Sequence, residues 1–140
     1  MSTETTRRLV EGFVTARANG NREAVIRLLA DDVALYPPPS TGLGPFHGPE
    51  EVVNALSGEV LARALDLGTV QRTLHRIIAD GDVGIVLNRL EATSLKGQPY
   101  ANEYCFVFTC GGEVITRIDE FTDTLRADAI FHFAQANGSA

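Results

Sequence analysis

GGEVITRIDEFTDT, Gly111 to Thr124, opens on a glycine pair and continues as an alternating apolar run carrying two adjacent acids, Asp119 and Glu120. The Gly-Gly pair has the chemistry of a hairpin turn, so the segment predicts a strand from Val114 to Thr122 that returns antiparallel to the run before it. Successive side chains of a strand point to opposite faces, so one acid looks outward and the other inward. An inward carboxylate needs either an ionic partner or a chemical task.

Working upstream, Lys96-Gly97 and Asp80-Gly81 separate three more such runs, predicting strands from Thr69 to Ala79, Val83 to Thr93 and Tyr100 to Thr109. Their short links make an antiparallel meander. Nearer the amino terminus the period changes. Leu9, Val10, Phe13, Val14 and Ala16 recur at helical spacing between Thr6 and Ala18, and Asn19-Gly20 supplies a stop. A shorter helix is expected from Asn21, a good N-cap, to about Ala30, burying Val25, Leu28 and Leu29. Val33 to Tyr36 reads as a short strand ended by Pro37-Pro38-Pro39. Pro49, Glu50 and Glu51 open a third helix with an apolar face through Val52, Val53, Leu56, Val60 and Leu61, bent at Gly58. Leu125 to Phe133 reads as a closing helix. Helices first and sheet second predict an α+β domain with helices packed over one sheet face.

The 140 residues suffice for one domain, 1–140, with a core that needs no metal or disulfide. Acids outnumber bases 18 to 12 with no basic block, which argues against nucleic acid or an anionic membrane as partner. Cys105 and Cys110 fall on opposite faces of one predicted strand, beyond disulfide reach, and read as buried free thiols of a reducing compartment. The first residues lack the apolar run of a signal peptide, and no apolar span has membrane length, so a cytoplasmic location is expected.

The segments LLADDVALYPP, FHGPEEV, IIADGDVGIV, LKGQPYANEYCFVF and GGEVITRIDEFTDT, in this order, resemble the SnoaL-like, ketosteroid-isomerase-related group of the nuclear-transport-factor-2-like (NTF2-like) superfamily. The resemblance covers nearly the whole chain. It implies a cone: three N-terminal helices over a strongly curved, mainly antiparallel sheet, a short C-terminal helix, a deep apolar cavity and a homodimer through the outer sheet face. Members include isomerases, polyketide cyclases, epoxide hydrolases, dehydratases and non-catalytic binding modules, so the fold does not fix the function.

Carrying each catalytic pattern onto the chain narrows the choice. The ketosteroid isomerase set falls on Pro37 for its base, Phe13 for its helix tyrosine and the neighbourhood of Tyr104 for its second acid. Proline abstracts no proton and phenylalanine donates no hydrogen bond, so that set is not matched. The limonene-type epoxide hydrolase set falls on Leu87, Arg89 and Glu120, and its Asp-Arg-Asp arrangement is absent. SnoaL-like polyketide cyclases also keep a carboxylate at the position of Glu120. Only this position survives every comparison.

Strand alternation groups Ile118 with Glu120, Leu87 and Glu91 with Arg89, and Asn102 and Phe106 with Tyr104, while His75 joins them from the preceding strand. Phe13 and Leu35 complete the expected lining. These residues suggest cofactor-independent acid/base chemistry of the isomerase, aldol-cyclase or dehydratase kind on an apolar carbonyl substrate. Glu120 would be the proton shuttle, Tyr104 and Asn102 the hydrogen-bond donors and Arg89 the polariser. Asn102, Glu91, His75, Leu87, Phe106, Ile118, Phe13 and Leu35 would contact the ligand. No metal or cofactor is expected, because no ligand spacing or phosphate loop is present. Each assignment has a structural counterpart: a Glu120–Arg89 ion pair between strands, Tyr100 and Tyr104 as sheet aromatics, His47 as a loop-fixing residue, Asp119 as an outward charge and Asp123 as a helix cap. The competing reading is a non-catalytic ligand-binding or dimerisation module.

Overall fold

A computed structural model describes residues 2–136. Helix α1 (Thr3–Ala18) begins where the Ser2 hydroxyl accepts the Thr5 N–H and ends on Asn19, ahead of Gly20 at φ 65°. Helix α2 (Arg22–Arg27) follows, capped by the Asn21 side chain. Strand β1 (Leu29–Tyr36) then begins earlier than Val33, because Leu29, and after an irregularity Ala34 to Tyr36, pair in parallel with the last strand. Tertiary pairing has overridden a helical spacing that extends the second helix to Ala30.

Strand β2 (Phe46–His47) leads into α3 (Pro49–Asn54), and a wide turn over Ala55–Glu59 carries the expected bend at Gly58, φ 121°. The meander follows as β3 (Gln71–Asp80), β4 (Val83–Thr93), β5 (Pro99–Gly111) and β6 (Val114–Thr122). Helix α4 (Thr124–Phe131) starts from Asp123, whose carboxylate caps Arg126 N–H. At His132, left-handed at φ 57°, the helical run breaks before α5 (Phe133–Ala136).

The six strands form one mixed sheet in the order β2-β1-β6-β5-β4-β3. Helix α1 lies across its inner face, where Phe13 meets Phe108 edge to face at 5.0 Å. The approach is close because Gly84 has no side chain: a Cβ there would stand 2.6 Å from Val10 Cγ2. Val10, Val33, Leu35, Phe108, Ile115 and Ile118 form the most deeply buried part of the core. Cys110 joins this core, whereas Cys105 is half-buried across the sheet, so the two thiols are free and on opposite faces. Among the described residues no helix is long and apolar enough to cross a membrane.

Candidate active site

The registers decide which residues share the cavity. Phe106 stands opposite both Val86 and Glu120, and Tyr104 opposite both Asn88 and Thr122, so even-numbered residues of β4, β5 and β6 face inward here. They line a cavity of about 80 Å³. Leu35, Pro37 and Phe46 close it from β1, the following loop and β2, and Leu56 and Leu61 from the segment after α3. Phe131 and Phe133, stacked 5.2 Å apart, cover it from the C-terminal helices.

Glu120 is the inward acid. Among the described residues its carboxylate has neither a hydrogen bond nor an ion pair, and burial lifts its pKa to about 7, with the nearby Arg17 opposing the rise. Arg17 reaches the cavity from the end of α1. Burial and the neighbouring Arg72 depress its pKa to about 10, while Glu120 and Tyr104 act in the other direction. Its Nη2 donates to the Leu56 carbonyl at 2.6 Å, yet its Nε is buried without a partner. Asn88 Oδ1 is likewise buried and unpartnered.

Tyr104 also lines the cavity, and its hydroxyl lies 2.8 Å from that of Tyr100. Asn102 Nδ2 donates to the Tyr100 hydroxyl at 2.9 Å and to the Asp123 carbonyl at 3.0 Å. Burial first, and then the Tyr100 hydroxyl and the Glu120 charge, drive the Tyr104 pKa upward. Tyr104 therefore stays a neutral phenol at any ordinary pH.

Glu120, Tyr104, Phe106 and Leu35 thus line one cavity. Asn102 stands behind the tyrosine pair instead of in the cavity wall, and Ile118 is sealed in the core beneath Glu120. Phe13 lines the adjoining cleft between α1 and β3. The expected places of Arg89, Glu91, Leu87 and His75 are overturned, because all four lie on the outer sheet face. Arg89 Nε donates to Glu91 at 2.7 Å and its Nη1 to Glu103 at 2.9 Å, so Arg89 is no partner of Glu120. His75 occupies a bulge between Leu74 and Arg76 and meets Glu103 at 2.9 Å. The outward acid, Asp119, is held by Arg117 through two hydrogen bonds of 2.9 and 3.0 Å.

The phase of β4 was misleading because both faces are apolar: Val86 and Leu90 point in, Ile85 and Leu87 out. A one-residue change of phase exchanges Asn88 for Leu87 and Arg89 in the cavity. Arg17, Arg72, Asn88 and Thr122 are among the lining residues that the sequence reading missed. Arg17 had a usable signal, since it lies four residues after Phe13 and shares its helix face.

With this geometry in place, residues 10–118 match the SnoaL-like domain family. The chain belongs to that family. Among solved structures, this SnoaL-like chain is similar to an NTF2-like protein of unknown function from Burkholderia pseudomallei (18% identity, TM-score 0.77, 94% of this chain and 98% of that one). It is also similar to TerC co-crystallised with polyporic acid (19%, 0.75, 91% and 98%). A candidate SnoaL-like polyketide cyclase from Jannaschia sp. CCS1 aligns as well (16%, 0.75, 92% and 93%). Such identities establish the NTF2-like fold alone. No curated protein sequence matches the chain.

Proposed function

We propose that this SnoaL-like protein is a small-molecule enzyme that moves a proton next to a substrate carbonyl, with Glu120 as the shuttle. The observation that carries this reading is the unpaired, desolvated Glu120 carboxylate, with its pKa near 7, in a cavity shared with Tyr104 and Arg17. A base poised near neutrality combines a usable ionised fraction with enough basicity to take a carbon-bound proton.

Glu120 would abstract the α-proton while the substrate oxygen gains negative charge. Tyr104 is suited to meet that oxygen. In the polarity that runs from Asn102 to Tyr100 to Tyr104, the Tyr104 proton is left for Thr122, its other hydrogen-bond partner, or for a ligand oxygen in the cavity. Asn102 is then a positioning residue. Returning the proton to another carbon gives isomerisation, attack of the enolate on a second carbonyl gives ring closure, and loss of a β-hydroxyl gives dehydration. The likeness to a candidate polyketide cyclase and to a protein co-crystallised with polyporic acid supports a polyketide-like substrate.

Exchange of the α-protons of 2-indanone in D2O, followed by NMR, tests the proposal without knowledge of the natural substrate. Wild-type protein accelerates exchange and Glu120→Gln does not; equal rates for the two would refute the role of Glu120.

The dimer expected from the resemblance is proposed on a separate observation. Phe121 is 53% exposed on the outer sheet face, on the same side as Leu87, Ile85 and Cys105 and bordered by the Arg89 and Arg117 ion pairs. An apolar centre with a charged rim is the anatomy of a protein interface. Light scattering should give a dimer for the wild type and a monomer for Phe121→Asp.

A further inference from the structure

Proton transfer by Glu120 leaves two buried polar atoms unexplained. Arg17 Nε and Asn88 Oδ1 have no partner, although both residues border the cavity. Both also border the cleft between α1 and β3, so they stand in the wall common to the two spaces, and Arg72 stands with them. The Arg17 guanidinium lies 5.8 Å from the centroid of the Phe106 ring, which leaves it facing an aromatic surface. Among the described residues neither Arg17 nor Arg72 forms an ion pair within 4.0 Å. Two guanidiniums against one carboxylate leave an excess of positive charge whether or not Glu120 is ionised.

An unpaired guanidinium removed from water is costly, and a ligand that supplies the missing acceptor recovers that cost. The planar fork of arginine suits a carboxylate or an acidic enol better than a lone carbonyl. Asn88 Oδ1 asks the opposite of the ligand, a hydrogen-bond donor. Arg72, exposed on β3 and bordering both spaces, adds long-range attraction. The apolar surroundings, Phe106, Leu35 and Leu56 among them, favour a flat hydrocarbon body.

Resting on the reading of this cavity as a small-molecule site, we propose that its substrates enter as organic anions. Each has a small planar ring system with a carboxylate or acidic enol for Arg17 and a hydroxyl that donates to Asn88. Arg17 is then the residue that selects charged over neutral substrates.

Salicylate and 2-hydroxybenzyl alcohol, which differ by a carboxylate against a carbinol, provide the test by calorimetric titration of the whole protein. Salicylate should bind about tenfold tighter or better, the contrast expected of one charge-assisted contact. Arg17→Met should reduce that preference to within about threefold, and Arg72→Met, at an exposed position, should reduce it in the same direction but less. Thermal melting of each variant reports whether the fold is kept. Equal affinities, binding of neither compound, or a preference unchanged in both variants would overturn the proposal. Glu120→Gln removes the shuttle but should retain or increase the preference for salicylate. Loss of proton exchange and loss of anion selectivity therefore separate a failure of the acid/base reading from a failure of this one.

Discussion

Glu103 and Glu120 are the same side chain on neighbouring strands, and the sheet between them makes them chemically different. Glu103 faces outward on β5, where Arg89 and His75 bond its carboxylate and hold its pKa below the usual range. Glu120 faces inward on β6, where burial lifts its pKa to about 7 and the nearest help is an arginine that does not bond to it. Hydration and partners, rather than residue type, separate a structural acid from a reactive one. The same lesson covers the arginines: Arg89 is saturated by two carboxylates, whereas half-buried Arg17 keeps a buried, unpartnered Nε.

The largest effect that would break this comparison concerns turnover. Glu120→Gln should slow α-proton exchange by about 10²- to 10⁴-fold, the range for removing a general base, and Glu103→Gln should leave it unchanged. A comparable loss from both would mean that the two faces are not chemically distinct. Tyr104→Phe should cost about 10²-fold in the same assay, as removal of one oxyanion donor does, with little change in the pH at which the rate rises.

Stability sharpens the contrast next. A carboxyl whose folded pKa is raised stabilises the protein below its unfolded pKa, and that contribution is lost as pH rises through the folded value. For Glu120 the window runs from 4.5 to about 7. Above it the wild type carries the full cost of a buried charge, so Glu120→Gln should be the more stable protein near pH 8. The expected gain is roughly 2–3 kcal/mol, a figure that already includes the attraction to Arg17. Urea titrations should show the gain vanishing toward acid pH. Smallest of all, Arg89→Ala breaks exposed pairs and should leave the urea midpoint nearly unchanged and exchange untouched.

Much of the fold was legible because turn chemistry and alternation agree: Asp80-Gly81 and Gly111-Gly112 mark hairpins whose strands lie close to where spacing puts them. The parallel pairing of β1 with β6 was not, since neither segment carries a local sign of its partner. Glu120 was placed inward by the buried Ile118 two residues before it on the same face. Its surroundings were read less well. In β4 apolar residues occupy both faces, and His75 sits in a bulge that strict alternation cannot anticipate. Arg17 was passed over for another reason: a cation at the end of a helix ordinarily reads as favourable to the helix dipole, although its spacing of four from Phe13 puts it on the face that turns toward the cavity.

The most direct measurement is the titration of the glutamate side-chain carboxyls by ¹³C NMR. One resonance, missing from Glu120→Gln, should titrate near pH 7, while that of Glu103 titrates below 4.5. If the Glu120 resonance titrates at the ordinary value of 4.5 instead, the inner face holds no poised base and the proposed chemistry fails.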